Sequence, residues 1–309
     1  MFKCYKLFDI ATQAYVAITG CLIAIFQQRA APIWVELLMV HIAVIGLIHG
    51  LIQWHHKKPN NLLITTLRHF YPLLLYTGFY RETAQLNQIL YSGYLDPYFL
   101  QWEKDLFGFQ PGLDFMQRFP YLWISEILYA SYFSYYLMLA GVGFVLFIKN
   151  RNQFFHYMFS LSFMLYICYL LYIVLPVVGP RITFIDIPGY VLPSEWRLSA
   201  GDVIYPPSIE RGIFFQIMQY IYSSFEGPGA AFPSSHVAAA ICTLYFSWKQ
   251  LGRKWIAIHS VLVFFLCIAT VYCHYHYVID VLAGMMAAAI IIPLGNRIYF
   301  SLIKSRSIS

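Results

Sequence analysis

The stretch GAAFPSSHVAAAICTLYFSW, residues 229–248, places a proline, two serines and a histidine directly before an apolar run. Pro233 is suited to the start of a helix, and Ser234 or Ser235 to the N-cap that accepts a hydrogen bond from one of its first amides. His236 then falls just inside the first turn. The stretch therefore predicts an apolar helix whose first turn carries polar side chains.

Apolar runs of this kind recur along nearly the whole chain. Of its 309 residues, 60% are hydrophobic and 11% are charged, whereas about a quarter are charged in an ordinary soluble domain. We predict an all-α, polytopic membrane helix bundle that forms one integral domain, residues 1–309. Runs near the ~20 residues that cross a bilayer as a helix predict eight spans, at about residues 10–27, 33–54, 61–80, 121–148, 154–176, 234–250, 255–272 and 277–299.

The third predicted span contains Arg68, His69 and Pro72. Because a charge that faces lipid is costly, we expect a buried or re-entrant helix there. Residues 1–80 are interpreted as accessory spans, and this interpretation rests on hydropathy alone.

Basic residues cluster at alternate turns between the predicted spans, so with eight spans all the clusters share one face. Basic residues in short loops mark the cytoplasmic side, and both termini are therefore predicted to be cytoplasmic. The clusters are Lys3 and Lys6, Lys57 and Lys58, Lys149 and Arg151, Lys249 with Arg253 and Lys254, and Arg297 with Lys304 and Arg306. The first cluster and ITGC at residues 18–21 resemble a signal peptide with a lipoprotein cleavage site. Because many spans follow, we favour an uncleaved first helix.

The opposite face holds two long segments, residues 81–120 and 177–233. In the first segment, WEKDLF at residues 102–107 predicts an amphipathic helix at the non-cytoplasmic interface. We favour a packed cap over the bundle, rather than a binding role, for this segment. The second segment is rich in Pro and Gly, which predicts mostly irregular structure.

The charge and the cysteines point to no additional partner. The formal net charge is +6, but in a membrane chain it first reports orientation, so we predict no nucleic-acid partner. The six cysteines lie in or beside apolar runs without CxxC pairs, and we interpret them as small apolar residues. Neither a metal nor a cofactor is predicted. The cysteines are Cys4, Cys21, Cys168, Cys242, Cys267 and Cys273.

Three polar motifs fall at the non-cytoplasmic ends of predicted spans. LPVVGPR (residues 175–181) closes the fifth span, FPSSH (232–236) opens the sixth, and HYHYVID (274–280) joins the last two. Because all three lie on one membrane face, they predict a functional site there.

The histidines of two motifs have complementary chemistry. The first turn of the helix that contains His236 has unpaired amides that can bind an anion, and the imidazole would be a proton donor beside that anion. The alternative is ordinary helix capping with a histidine at the membrane interface. His276 and Asp280 are four residues apart, so on a helix the carboxylate accepts from one imidazole nitrogen and leaves the other free to attack. A structural His–Asp pair is the alternative for them.

The remaining candidates are cationic or histidine side chains. Arg181 carries a charged fork that matches phosphate oxygens, and phosphoryl transfer needs such charge stabilisation. His274 is a candidate substrate contact because it lies two residues before His276. Arg197 and Arg211 belong to no motif, so we interpret them as solvated loop charges.

These residues resemble the type 2 phosphatidic acid phosphatase superfamily of membrane lipid phosphatases and phosphotransferases. PSSH at residues 233–236 is similar to its PSGH motif, and His276 with Asp280 to its HxxxD. The resemblance implies a phosphatase-like core of six helices, assigned here to residues 121–299, with a metal-independent site at the outer face. It implies that His276 attacks phosphorus, that Asp280 orients it, and that His236 protonates the leaving oxygen. The predicted phosphate-binding residues are Arg181, Ser234 and Ser235.

Two cations of the family motifs are replaced. Val174 stands where a lysine is expected, Pro180 precedes Arg181 rather than following it, and Thr270 stands where an arginine is expected. This pattern is similar to the branch of inositol phosphorylceramide synthases and sphingomyelin synthases. LFGFQP (106–111), YFSYY (132–136) and PVVGPR (176–181) also resemble bacterial members of that branch.

The leading hypothesis is an enzyme that acts on a lipid phosphoester, with water or an alcohol as acceptor; the partners are that substrate, membrane lipids and an alcohol or lipid acceptor. The missing cations slightly favour phosphodiester chemistry. A histidine-rich haem protein or transporter is the rival from another class, since His41, His49 and His69 lie in or near spans. We expect His41 and His49 to form interhelical hydrogen bonds instead. A non-catalytic member is a third hypothesis.

Overall fold

The computed structural model describes residues 4–27, 33–199, 201–225 and 227–308, and the side chains of residues 307 and 308 are not described. Lys3, part of the first basic cluster, lies outside these residues. The described chain contains α-helices, short 3₁₀ turns and two isolated β-bridges, but no strand. The α-helices are α1 (Leu7–Ile25), α2 (Trp34–Lys57), α3 (Leu62–Leu86), α4 (Asp96–Phe107), α5 (Pro111–Arg118), α6 (Leu122–Lys149), α7 (Arg151–Val174), α8 (Pro207–Glu210), α9 (Ile213–Phe225), α10 (Ser235–Gln250), α11 (Arg253–Tyr272) and α12 (Val278–Ile308).

Eight long helices occupy the eight predicted spans, which confirms the polytopic helix bundle. Six of the described helices, α1, α2, α6, α7, α11 and α12, are long and apolar enough to cross a membrane. The other two predicted spans correspond to α3 and α10. Each departs from a simple lipid-facing helix for its own reason.

Helix α3 carries a buried charge. Arg68 is 2% exposed, and its guanidinium donates to both carboxylate oxygens of Asp9 on α1, at 2.9 and 2.5 Å. The hydroxyl of Tyr71 donates to the same carboxylate at 2.9 Å. The helix runs without a break over 25 residues, with Pro72 inside it. The buried alternative for this span is therefore confirmed, because Asp9 neutralises the charge inside the bundle.

His41 forms the expected interhelical hydrogen bond, whereas His49 bonds the segment that precedes α1. The Nε2 atom of His41 lies 2.9 Å from the Thr19 hydroxyl of α1, and its Nδ1 atom lies 2.7 Å from the carbonyl of Leu37. The Nδ1 atom of His49 lies 2.6 Å from the Tyr5 hydroxyl. These bonds tie α2 to α1 and to the segment that precedes it.

Helix α10 is short and central. Its 16 residues span about 24 Å, less than the ~30 Å thickness of a hydrocarbon core. It packs against α6, α7, α11 and α12. Ala238, Ala239 and Ala240 are fully buried, and their small side chains let the neighbouring helices approach closely.

The bundle has one basic end. The residues there lie where α2, α6, α10 and α12 end and where α7 and α11 begin, and they include Lys57, Lys149, Arg151, Lys249, Arg253 and Arg306. Arg306 donates to the carbonyl of Tyr5 at 3.0 Å, so the two ends of the described chain meet at this face. The three polar motifs lie at the opposite end, where α7 and α11 end and α10 and α12 begin.

The two segments at the motif end are more ordered than the sequence predicts. The WEKDLF stretch belongs to α4, whose Trp102 and Leu106 are exposed. Residues 177–233 are mostly irregular, as predicted, but they also contain α9. That helix was missed, although Phe215, Met218 and Tyr222 are buried at helical spacing. Its Pro- and Gly-rich flanks concealed this signal.

A carboxylate at the N-terminus fixes α9 against α6. The first amides of α9, those of Ile213, Phe214 and Phe215, donate to Glu126 at 2.9 to 3.3 Å. An acidic group at a helix N-terminus satisfies orphan amides and stabilises the dipole. This contact holds α9 beside the motif end of the bundle.

Candidate active site

The start of α10 confirms the predicted cap. Ser234 is the N-cap, and its Oγ accepts from the amide of Val237 at 3.4 Å. The amide of Ser235 donates to the Tyr172 hydroxyl at 3.0 Å, and that hydroxyl donates to the carbonyl of Pro233 at 3.0 Å. The amides of Ser235 and Val237, which were expected to be unpaired and able to bind an anion, therefore donate within the protein.

The turn between α11 and α12 carries the predicted His–Asp pair. The Nδ1 atom of His276 lies 3.4 Å from Oδ2 of Asp280, which also accepts from the Tyr277 amide at 2.8 Å. His276 is 3% exposed and Asp280 is fully buried. At 3.4 Å the histidine contact is long for a hydrogen bond, so the short amide bond holds the carboxylate in place.

The structure brings the second and third motifs together. The ring centroids of His236 and His276 are 5.8 Å apart, and the amide of Ser234 donates to the carbonyl of Asp280 at 3.0 Å. Among the described residues, Nδ1 of His236 and Oδ1 of Asp280 are buried and have no hydrogen-bond partner. Burying a polar atom without a hydrogen-bond partner costs free energy. A ligand that bonds these two atoms would recover that cost.

Burial controls the charge of His276. It lowers the pKa of the imidazole to about 3, and a hydrogen bond to the carbonyl of Ala231 opposes that shift only in part. At neutral pH the side chain is therefore uncharged. An uncharged imidazole has a lone pair, which nucleophilic attack requires.

Arg181 joins the site through aromatic rings. It lies in a 3₁₀ turn, Pro180–Thr183, with its guanidinium carbon 5.1 Å from the ring of Tyr222 and 5.7 Å from that of Tyr275. The two rings stack at 3.7 Å. Cation–π contacts of this kind hold a guanidinium in place. Because Tyr275 precedes His276, the first motif lies beside the third.

His274 faces the backbone on one side. Its Nδ1 atom lies 2.5 Å from the carbonyl of Gly112, and its ring lies among those of Phe184 and Tyr205. Its φ of +63° is the left-handed region, which is unusual for a residue other than glycine. Burial lowers the pKa of His274 to about 4. A role in substrate contact stays a prediction.

The two remaining arginines of this segment, Arg197 and Arg211, lie at the protein surface. Arg197 is exposed and pairs with Asp186 at 2.6 Å. Arg211 is also exposed, at the end of α8. Both positions agree with the interpretation as loop charges.

The family of the chain follows from a comparison of its sequence with family models. The family model described as "PAP2 superfamily" matches residues 99–294, a range that includes all three motifs. The chain belongs to the PAP2 superfamily. No curated protein and no solved structure matches the chain. Membership and the membrane-spanning helices support a membrane phosphatase-type enzyme.

A cavity of about 430 Å³ adjoins the PAP2 motifs, between α3, α6, α7, α9 and the start of α10. Most of its wall is tyrosine, phenylalanine and leucine. His236 and Ser235 are among its lining residues. Its volume is within the ~300–1,000 Å³ of small-molecule sites, and a mainly apolar wall with a few polar groups is typical of them.

Three residues that contact the PAP2 motifs were not predicted from the sequence. Tyr172 bonds the start of α10, and Asp96 and Glu103 of α4 bond the segments that carry Arg181 and Asp280. One signal was present for the two acids. They are seven residues apart, on the same face of α4 as the buried Phe99 and Leu100, where an amphipathic helix normally has apolar residues.

Proposed function

We propose that this chain is an integral-membrane enzyme that cleaves or transfers the phosphoester head group of a lipid through a phosphohistidine at His276. The observation that carries the proposal is the 5.8 Å separation between the rings of His236 and His276, which come from different helices. A phosphoryl group between them has a nucleophile on one side and a proton donor on the other. Asp280 lies behind the nucleophile.

In the first step, an imidazole nitrogen of His276 attacks phosphorus and the bond from phosphorus to the ester oxygen breaks. The negative charge of the bound phosphate favours the protonated form of His236. His236 donates its proton to that oxygen, so the leaving group departs as a neutral alcohol. Arg181 offsets the charge on the other phosphate oxygens. Asp280 stabilises the positive charge that develops on His276.

In the second step, the acceptor replaces the histidine. His236, now neutral, takes a proton from water or an alcohol as the oxygen of that molecule attacks phosphorus. The phosphorus–nitrogen bond breaks, and its electron pair returns to His276. Both histidines then have their initial protonation states, and the group carried on phosphorus has passed to the acceptor.

The cavity indicates which part of the substrate leaves. In an in-line displacement the leaving oxygen lies opposite the attacking nitrogen, and therefore on the side of His236. The cavity adjoins His236 there, and its wall is mainly apolar and aromatic. We infer that the alcohol released in the first step is the lipid alcohol rather than a small polar head group.

The charge of the site favours transfer over hydrolysis of a terminal phosphate. At the two positions where the family motifs have cations, Val174 is half-exposed and Thr270 is buried, its hydroxyl bonded to the carbonyl of Cys267. Arg181 is then the motif cation that the substrate meets. A diester carries less charge than a terminal monoester, so we favour phosphodiester chemistry of the inositol phosphorylceramide synthase and sphingomyelin synthase type.

The orientation follows from the two ends of the bundle. The basic end carries residues from Lys57 to Arg306, and the motifs lie at the other end. By the positive-inside rule, both termini are cytoplasmic, and the site opens to the periplasmic, extracellular or lumenal side. We propose residues 121–299 as the catalytic core and residues 1–80 as accessory helices.

The test is phosphate release and head-group exchange by detergent-purified protein on lipid phosphomonoesters and phosphodiesters, in EDTA. We expect turnover that survives chelation and is lost in His276→Ala. His259→Ala is the matched control, because His259 is also buried but bonds Ser247 near the basic end. Equal turnover by wild type and His276→Ala contradicts the histidine mechanism.

Two further readouts separate the alternatives. Alkali-stable, acid-labile ³²P incorporation that disappears in His276→Ala supports the phosphohistidine. A Soret absorbance band in the purified protein supports the rival haem hypothesis instead. Release of inorganic phosphate from phosphatidic acid without any head-group exchange excludes the transferase form of the proposal and leaves the phosphatase form.

A further inference from the structure

Helix α4 presents two carboxyl groups to the motif end of the bundle. Asp96 and Glu103 are seven residues apart, about two helical turns, and therefore lie on one face. Both are fully buried, although Trp102 and Leu106 of the same helix are exposed. Burying carboxyl groups is costly unless donors satisfy them. The donors to Asp96 and to Oε1 of Glu103 belong to the catalytic segments, whereas Oε2 of Glu103 is buried without a partner among the described residues.

Asp96 connects the first motif to the third. Its Oδ2 accepts from the amide of Val178 at 2.9 Å, and its Oδ1 accepts from the amide of Gly179 at 2.8 Å. The hydroxyl of Tyr277 donates to the same Oδ1 at 3.0 Å. Gly179 lies two residues before Arg181, and Tyr277 directly follows His276. One side chain therefore holds the segments of the phosphate-binding cation and the nucleophile together.

Glu103 holds the other side of the third motif. Its Oε1 accepts from the amide of Val278 at 2.5 Å. Val278 is the first residue of α12, and Asp280 lies in the same turn. An acidic side chain at this position satisfies an orphan amide and stabilises the helix dipole. The orientation of the turn that carries Asp280 thus depends on α4.

The packing between the first and third motifs leaves little room for adjustment. Gly179 has a φ of +95°, and a Cβ atom on it would lie 2.6 Å from the carbonyl oxygen of Tyr275. Tyr277 is bonded from both sides, since Asp96 accepts from its hydroxyl and Asp280 from its amide. A shift of Asp96 is therefore transmitted to the residues on either side of His276.

We propose that Asp96 and Glu103 are positioning residues of the phosphoryl-transfer site, which set the separation between Arg181 and the His276–Asp280 pair. The proposal rests on the function proposed above. Asp96 lies outside the range 99–294 that matches the PAP2 superfamily, so the family match does not cover this residue. Neither side chain attacks or protonates the substrate; each acts through the backbone of a segment that does.

The test compares Asp96→Asn and Glu103→Gln with Asp105→Asn in the full-length protein. Asp105 is the matched control, because it is also an acid of α4 but is exposed and bonds only Gln101 among the described contacts. An asparagine at position 96 replaces one carboxylate oxygen with an amide NH₂ group. That group would face at least one of the three donors, the amides of Val178 and Gly179 and the hydroxyl of Tyr277. We measure kcat and KM, and separately the affinity for orthovanadate from the rise in melting temperature that it causes.

The two variants have different expected signatures. Asp96→Asn disturbs the segments of both Arg181 and His276, so we expect kcat to fall on the order of 100-fold, as for a displacement of about 1 Å, together with weaker vanadate binding. Glu103→Gln disturbs only the turn of Asp280. We expect kcat to fall about tenfold by the same positioning effect, with vanadate affinity unchanged. Asp105→Asn is expected to match wild type in both.

The outcomes separate this proposal from the function on which it rests. If wild type turns over and both variants match Asp105→Asn, the positioning role is wrong and the enzymatic function stands. If the variants only lower the melting temperature, with normal kcat in the folded fraction isolated by gel filtration, their role is structural and the proposal is also wrong. If wild type neither turns over nor binds vanadate, the phosphoryl-transfer function fails and the positioning role fails with it.

Discussion

The hydroxyl of Tyr172 lies 3.0 Å from the amide nitrogen of Ser235, and it donates at 3.0 Å to the carbonyl of Pro233. One oxygen near the end of α7 thus accepts from the first residue of α10 and donates to the loop before it. All three groups are buried and lie at the motif end of the bundle. The bond pair connects the first motif's helix to the helix of His236 and fixes where α10 begins.

Tyr172→Phe removes both bonds at once. We expect the free energy of unfolding to fall by about 1–3 kcal/mol, because a buried amide and a buried carbonyl lose their partner, and kcat to fall as the start of α10 shifts. The control is Tyr166→Phe on the same helix, whose hydroxyl bonds Thr12 far from the motifs. Denaturation in detergent and steady-state kinetics check this. Equal kcat in the two variants contradicts a role for Tyr172 in placing His236.

His236→Ala is expected to depend on the leaving group. Loss of a general acid costs about 10²–10⁴-fold with a poor leaving group such as a lipid alkoxide, whereas a nitrophenolate departs without a proton. With a nitrophenyl phosphoester, we therefore expect His236→Ala to show a burst of nitrophenol as His276 is phosphorylated. Stopped-flow absorbance measures the burst, and His276→Ala should show none. A burst in both variants would assign the nucleophile to another residue.

The Asp9–Arg68 pair predicts a strong dependence of one partner on the other. Arg68→Met leaves the buried carboxylate of Asp9 without its cation, which destabilises by about 3–5 kcal/mol. Asp9→Asn combined with Arg68→Met removes both charges and should recover most of that loss. Unfolding in mixed detergent measures the double-mutant cycle. The exposed pair Arg197–Asp186 is the control, and its Arg197→Met variant should change stability by less than about 1 kcal/mol.

Asp96 predicts a pH dependence of stability. Burial raises the pKa of its carboxyl from 3.8 to about 7, with a smaller contribution from Asp280, while the bonds from Val178, Gly179 and Tyr277 oppose the shift. A carboxyl with a raised folded-state pKa contributes stability that is fully present below about pH 4 and is lost as pH rises through about 7.

Asp96→Asn cannot titrate at this position. The melting temperature of the variant relative to wild type should therefore rise between about pH 4 and pH 7. Thermal unfolding across this interval measures the difference, and the comparison removes the contributions of groups that do not interact with Asp96. A difference that is constant with pH, or that falls as pH rises, contradicts the environment described for Asp96.

A tryptophan in the cavity tests its occupant. Ala140 lies on α6 in the cavity wall, and Ala140→Trp should fill space that a lipid alcohol needs. We expect kcat/KM to fall about tenfold for a long-chain phosphoester, because the substrate loses the burial of one or two methylene groups. For a short, water-soluble phosphoester we expect little change. Gly141→Ala, next along the helix and outside the lining, is the control. Equal losses on both substrates would place the lipid alcohol elsewhere.

Local chemistry made much of the fold predictable. The apolar runs predicted the positions of eight long helices, and the N-cap at Ser234 followed from the side chain alone. Helix α9 was missed because its buried residues, Phe215, Met218 and Tyr222, lie between Pro- and Gly-rich flanks. The end of α3 was placed too early, at residue 80 rather than Leu86, because polar residues interrupt its hydropathy while buried contacts continue the helix.

The candidate site divides in the same way. Hydropathy and motif spacing were enough to place His236, His276, Asp280 and Arg181 at one end of the bundle, because helix direction alternates with each crossing and i,i+4 spacing acts within a single turn. The 5.8 Å separation of the two histidine rings and the bond from Asp96 to Tyr277, 181 positions away, emerge when the helices pack. Such contacts depend on how closely helices pack and on which buried donors remain to be satisfied. No local pattern encodes these quantities.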